Sequence, residues 1–195
     1  MNKVRRLITF CVVAVLMVAL GSAHADVVID FEGLNIGIPV DDQFTTIGAD
    51  FNGDATVTGL LDSSFPLLPG STKVIFNSPS FDLIRVDSVG PEWLMAGGYV
   101  TGTGIVTLTA YDSSNILLGT DSTSGANTVG YGIPNIFLNI NAPNIAYIAY
   151  VEFSVPSGTT FTVDDFTFNP VPVPAAVLLG ILGLGVAGLK LRKFV

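Results

Sequence analysis

Four carboxylates stand where the chain could do metal chemistry. Asp30 and Glu32 close the short apolar run that begins at Val27, and Asp164 and Asp165 interrupt the stretch Phe161–Phe168. Along that stretch the apolar phase switches at the acidic pair: Phe161 and Val163 share one face, Phe166 and Phe168 the other. Strand residues alternate between faces, so a bulge at Asp164-Asp165 would reconcile the two phases and leave both carboxylates at a kink. If the first and last strands are neighbours, four carboxylates converge and repel one another. Ca²⁺ relieves such repulsion and accepts carboxylates and main-chain carbonyls in flexible geometry. Asp41, Asp42 and Asp50 could contribute through the loop after the first strand. The alternative is that these acids face solvent in separate turns. No twelve-residue EF-hand loop is present.

Sugar binding would need an aromatic platform beside hydrogen-bonding groups. Trp93, the sole Trp, lies in GPEWLMAGGY between turn-forming residues, and Tyr99, Tyr111 and Tyr131 are further candidates. Large aromatics usually fill cores, and a core or capping role for Trp93 is the favoured expectation. A glycosidase would need two carboxyl groups flanking a cleft. Glu32, Glu92 and Glu152 are the only Glu residues, and no spacing marks a catalytic pair among the sixteen acids.

The elements that must position these residues are strands. Residues 26–169 show no sustained helical period; short apolar runs alternate with Gly, Asn, Asp, Ser and Pro. Strands are expected at Val27–Phe31, Ile47–Asn52, Lys73–Phe76, Phe81–Val86 and Ile136–Ile140. Ile105–Tyr111 and Ile116–Asp121 read as a hairpin around the turn Asp112-Ser113-Ser114-Asn115. NIAYIAYVEFSV and TTFTVDDFTF supply the last two strands, the former buried on both faces at its centre. Eight to ten strands of this kind predict an all-β, two-sheet sandwich, most simply a jelly roll, with an irregular barrel as the alternative. No internal repeat points to a solenoid or propeller.

Both ends carry export features. Lys3, Arg5 and Arg6 precede the apolar run Leu7–Leu20, and Ala23-His24-Ala25 is a small-x-small cleavage site. Residues 1–25 thus read as a signal peptide cut by signal peptidase. Its removal takes away Cys11 and His24, the only Cys and the only His. The mature chain then lacks a thiol nucleophile, a Ser-His-Asp triad, a disulfide and an ordinary transition-metal site. No nucleotide cofactor is expected, and neither is enzymatic activity. All sixteen acids lie in 26–169 against two bases, Lys73 and Arg85, a net charge of −14 there. Such a surface argues against nucleic acid and anionic lipid as partners. Mean hydropathy of +0.62 is inflated by the two end segments.

Residues 170–195 hold Val171-Pro172-Val173-Pro174-Ala175, an apolar helix expected at 175–189, and the bases Lys190, Arg192 and Lys193. Length and charge alone allow a permanent anchor with a short cytoplasmic tail. Motif, glycine-studded helix and basic tail in this order resemble the PEP-CTERM class of bacterial sorting signals, in its VPLPA-type variant. Val173 stands where the commoner form has Glu, which fits that subtype. The resemblance implies a Gram-negative source, a membrane-inserted intermediate, and cleavage near Pro-x-Pro by an exosortase-type transpeptidase. The final address would be the envelope, cell surface or extracellular matrix.

IDFEGLNIGIPVDDQFTTIGADFNG, AYDSSNILLGT and FTVDDFTF resemble the opening, middle hairpin and closing strand of exported domains in that class. Those domains are similar to galactose-binding-like jelly rolls of carbohydrate-binding modules, some of which hold a structural calcium. The resulting expectation is a non-enzymatic surface protein associated with exopolysaccharide or biofilm. A calcium-dependent carbohydrate-binding module is the alternative, and a glycan hydrolase the weakest reading.

Overall fold

Alternating burial builds the strands. In Thr107–Tyr111, Leu108 and Ala110 are fully buried while Thr107, Thr109 and Tyr111 are only half-buried. The computed structural model describes residues 25–77, 82–143 and 146–171. Its strands are β1 (Val27–Ile29), β2 (Pro39–Val40), β3 (Ala49–Asp50), β4 (Ala55–Thr58), β5 (Val74–Asn77), β6 (Leu83–Ser88), β7 (Trp93–Gly102), β8 (Thr107–Tyr111), β9 (Leu117–Ser122), β10 (Ile136–Asn141), β11 (Tyr150–Ser154) and β12 (Phe161–Pro170), with a 3-10 helix at Asp42–Ile47.

These strands form two antiparallel sheets. One is seven-stranded, in the order β10-β7-β12-β5-β4-β2 with β1 also on β12; the other is five-stranded, β3-β6-β11-β8-β9. No strand belongs to both, so the arrangement is a two-sheet sandwich and not a barrel. The inner faces meet in one aromatic core. Phe153 of the smaller sheet packs against Phe166 of the larger, ring centroids 6.2 Å apart, and Phe51 joins them at 5.5 Å from Phe166.

β12 organises the larger sheet. One edge follows β7; the other pairs with β5 at Thr162-Val163 and with β1 at Phe166–Phe168. Where the partner changes, the register slips between Asp164 and Thr167, and Asp165 takes a left-handed conformation, φ 46°. This is the bulge that the phase switch demands. It turns Phe161, Val163, Phe166 and Phe168 all into the core, each at 0% exposure.

One central element departs from the sequence reading. The stretch read as turns around Trp93 is β7, ten residues long, lying between β10 and β12. Its glycines obscure it, yet they are what let it fit. A Cβ on Gly97 would collide with the Leu138 carbonyl oxygen, and one on Gly98 would come within 3.0 Å of Val163 Cγ1.

Ala25–Val171 forms one compact unit. All described strands pair within it and it holds the entire described core, so this segment carries what it needs to fold alone. β12 runs to Pro170, one residue past the expected boundary, and the Val171 N–H donates to the Glu92 carbonyl at 2.8 Å. The signal peptide up to His24, and the sorting motif from Pro172 with the helix expected at 175–189, lie outside the described residues. Among the described residues no helix is long and apolar enough to cross a membrane.

Candidate functional site

The first and last strands are neighbours, as the acidic quartet requires: Ile29 pairs with Phe166. The quartet nevertheless divides. Glu32 Oε1 accepts from Ser71 Oγ at 3.1 Å, the Thr72 amide at 2.6 Å and the Lys73 amide at 2.9 Å. Its Oε2 accepts from the Thr72 hydroxyl, and Lys73 Nζ donates to the Glu32 main-chain carbonyl at 2.5 Å. The Thr72 hydroxyl and amide, with weaker help from the Lys73 and Ser71 donors, bring the Glu32 pKa down to about 2 against the cost of burial. Glu32 is a clasp that ties the segment after β1 to the segment entering β5.

Asp164 behaves oppositely. It points outward from the larger sheet, yet it is only 2% exposed, because Leu68 and Ser71 of the 59–73 segment lie over it. Its Oδ1 accepts the Asp165 amide at 2.8 Å; its Oδ2 is buried with no hydrogen-bond partner. The Ser71 hydroxyl is directed to Glu32 and to the Lys73 carbonyl, so together with Leu68 it only softens the effect. Burial, aided by the charge of Asp165, raises the Asp164 pKa to about 6. Asp165 is also raised, by burial first and then by the charges of Asp30 and Glu32.

These residues do not fit a calcium cage. Both Glu32 oxygens are filled by donors, and Asp30 Oδ1 accepts the Glu32 amide at 3.1 Å. Asp50 lies in the other sheet, on β3, and Asp41 and Asp42 open the 3-10 helix. Among the described residues no three His, Cys, Asp or Glu side chains gather as metal ligands.

Trp93 is a core residue and cannot serve as a sugar platform. It is 0% exposed and packs on Phe166 and Phe168 at centroid distances of 5.7 and 4.9 Å. Tyr111 is stacked on Tyr150, 4.7 Å and 17° apart, on the outer surface of the smaller sheet. The Arg85 guanidinium lies 3.7 Å over the Tyr150 ring and pairs with Asp87 at 2.6 Å. This ladder spends its faces on itself, and Tyr150 is 8% exposed.

Tyr99 is placed differently. On β7, Ala96, Gly98 and Val100 face the core, so Met95, Gly97 and Tyr99 face outward. Cross-strand register sets three rows on that outer face. Phe137, Tyr99 and Asp164 form one; Asn139, Gly97, Thr167 and Val28 the next; Asn141, Met95 and Asn169 the third. The Tyr99 and Phe137 rings touch at 4.9 Å and 51°. Gly97 leaves a low floor between that aromatic pair and Met95. Exposed Asn139 and Asn141 border it, with Asn141 Nδ2 3.4 Å from Asn139 Oδ1. Asn169 Nδ2 donates to Asp26 at 3.1 Å, and its Oδ1 is buried without a partner.

Such a surface offers rings for the C–H faces of pyranoses and amides for their hydroxyls. It holds no cation. Lys73 is bound to the Glu32 carbonyl and Arg85 to Asp87, so neither base can balance an acidic polysaccharide here. The pattern FLNIN at 137–141 carries the needed alternation, but sequence alone does not say that Tyr99 lies beside it.

No family model matches the chain, and no curated protein matches it. Three solved structures are similar to it at a low level. The K2 cleaved adhesin domain of Lys-gingipain is 14% identical, covering 74% of this chain and 97% of that one, with TM-score 0.44. A DUF4465 family protein from Bacteroides caccae is 12% identical, covering 75% and 100%, with TM-score 0.48. A family 29 carbohydrate-binding module from Piromyces equi is 10% identical, covering 76% and 92%, with TM-score 0.44. At such identities, and with TM-scores below 0.5, the ligand of this chain has to be read from its own residues.

Proposed function

We propose that this chain is an exported, non-enzymatic jelly-roll protein of the cell surface or extracellular matrix, associating with neutral exopolysaccharide through the outer face around Tyr99. The observation that carries the reading is the Tyr99–Phe137 pair held in register with Asn139 and Asn141 over the Gly97 floor. The face presents amides and rings, not the two opposed carboxyl groups that glycoside hydrolysis needs. The signal peptide, the Pro-x-Pro motif and the basic tail support delivery by signal peptidase and an exosortase-type enzyme, through a membrane-inserted intermediate. Calcium has no part in this reading, because the acidic quartet does not fit it. Affinity electrophoresis of segment 25–171 through neutral and uronate-bearing polysaccharide gels tests it. Retardation confined to neutral gels, and lost in Tyr99→Ala, supports it; free migration through every gel contradicts it.

A further inference from the structure

We infer that Asp121 is an edge guard: its carboxylate closes the free edge of β10 to strand pairing with a second copy of this chain.

A sandwich leaves strand edges whose N–H and C=O groups can template another chain. Here β1, β2 and β3 offer only two or three residues each, too short an edge to hold a partner strand. The long free edges among the described residues are β9 and β10, six residues each, at the ends of the two sheets. β9 carries a charge of its own, Asp121, and its pairing with β8 is broken by a register shift between Ala110 and Tyr111. β10 has neither protection. Its sequence IFLNIN is uncharged, rich in β-forming residues and free of Pro and Gly, a composition that pairs readily with copies of itself. Pro134 and Pro143 lie on either side and limit its length, but they leave its middle open.

The direction of the main-chain groups alternates along an antiparallel strand. The Ala142 amide, one residue past β10, donates to the Leu94 carbonyl of β7 at 2.8 Å. Even-numbered residues of β10 therefore bond to β7, and Phe137, Asn139 and Asn141 turn their amides and carbonyls to the open edge. Asn139 is the middle of the three, and Asp121 Oδ2 accepts its amide at 3.0 Å. The other oxygen, Oδ1, accepts the Ser122 amide at 2.9 Å, which fixes the carboxylate. Asp121 reaches across because it pairs with core-facing Leu108 and so stands on the inner face of the smaller sheet, at its rim. Gly119 lets β9 come this close: a Cβ there would lie 3.1 Å from Ile140 Cγ2. A partner strand on β10 would have to displace Asp121 from the central amide and bury its charge unpaired in the new interface. Lys73 and Arg85, the two bases of residues 26–169, are engaged by Glu32 and Asp87 and cannot neutralise it.

The test is sedimentation velocity on segment 25–171 over a concentration series, in salt high enough to screen its net negative charge. The wild type should remain a monomer. Asp121→Ala should self-associate at least about tenfold more tightly while keeping the native emission of buried Trp93. Adding Asn139→Pro to that variant should restore the monomer, because proline removes the central edge amide, which β7 does not use. A monomeric Asp121→Ala, a wild type that associates as strongly, association that comes only with loss of the native Trp93 emission, or association that survives Asn139→Pro would overturn the guard.

Discussion

Tyr99 and Asp164 are direct partners in the β7–β12 ladder, and the boundary between the open and covered halves of the larger sheet's outer face runs between them. On the Tyr99 side the face is open, with Asn139 and Asn141 exposed. On the Asp164 side the 59–73 segment closes over it, and Thr101 and Thr162 are buried with it. The bulge makes this possible, since it alone lets Asp164 point outward while Phe166 returns to the core.

The acidic quartet gives stability two opposed pH dependences. Asp164 has a folded pKa of about 6, above its ordinary 3.8, so the folded state binds the extra proton between these values. Stability from Asp164 is therefore greatest at acid pH and is lost as pH rises through about 6, an effect of about 3 kcal/mol at this buried position. Glu32 has a folded pKa of about 2, below 4.5, so its contribution is present at neutral pH and lost as pH falls towards 2. Thermal unfolding of segment 25–171 should show a stability maximum near pH 4–5, between the two transitions. Asp164→Asn should lessen the fall above the maximum and raise the melting temperature at pH 7, the remaining fall coming from Asp165, whose pKa is also raised. Glu32→Ala should lower it at pH 7. A wild-type profile that rises steadily from pH 4 to pH 7 would contradict the assignment.

Calcium should leave the fold unmoved. Millimolar Ca²⁺ and EDTA are both expected to give the same melting temperature for segment 25–171, because both Glu32 oxygens already accept hydrogen bonds and no trio of metal ligands gathers among the described residues. A reversible rise with Ca²⁺ would show that the quartet rearranges into a cage.

Trp93 is an internal reporter. As the sole Trp, buried against Phe166 and Phe168, it should give blue-shifted fluorescence that resists quenching and stays constant on adding polysaccharide. Trp93→Phe should cost about 1–3 kcal/mol in chemical denaturation and leave polysaccharide retardation unchanged. Quenching of this residue by small solutes in the native state would place it at the surface instead.

The C-terminal motif predicts processing. Mass spectrometry of the mature protein is expected to find no peptide beyond the Pro172-x-Pro174 region. Recovery of the intact Lys190–Val195 end from surface material would favour a permanent anchor.

What could be read in the sequence was what rests on local periodicity. The phase change at Asp164-Asp165 announces the bulge, and the alternation of Leu108 and Ala110 announces β8. β7 stayed hidden because Gly97 and Gly98 look like turn residues, while their need arises from Leu138 and Val163 in neighbouring strands. The Glu32 clasp was equally invisible: its donors lie about forty residues away, and the expected convergence of charge was answered by N–H and O–H groups, not by a cation. Tyr99 stood among the candidates, but only the register with Phe137 and Asn139 shows a surface around it.

Retardation of segment 25–171 in neutral polysaccharide gels, compared with Tyr99→Ala, tests the central claim most directly. The face around Tyr99 predicts clear retardation for the wild type and about tenfold weaker binding for the variant, with uronate-bearing gels retarding neither. Equal retardation of wild type and Tyr99→Ala, or stronger retardation by the acidic polysaccharide, would contradict it.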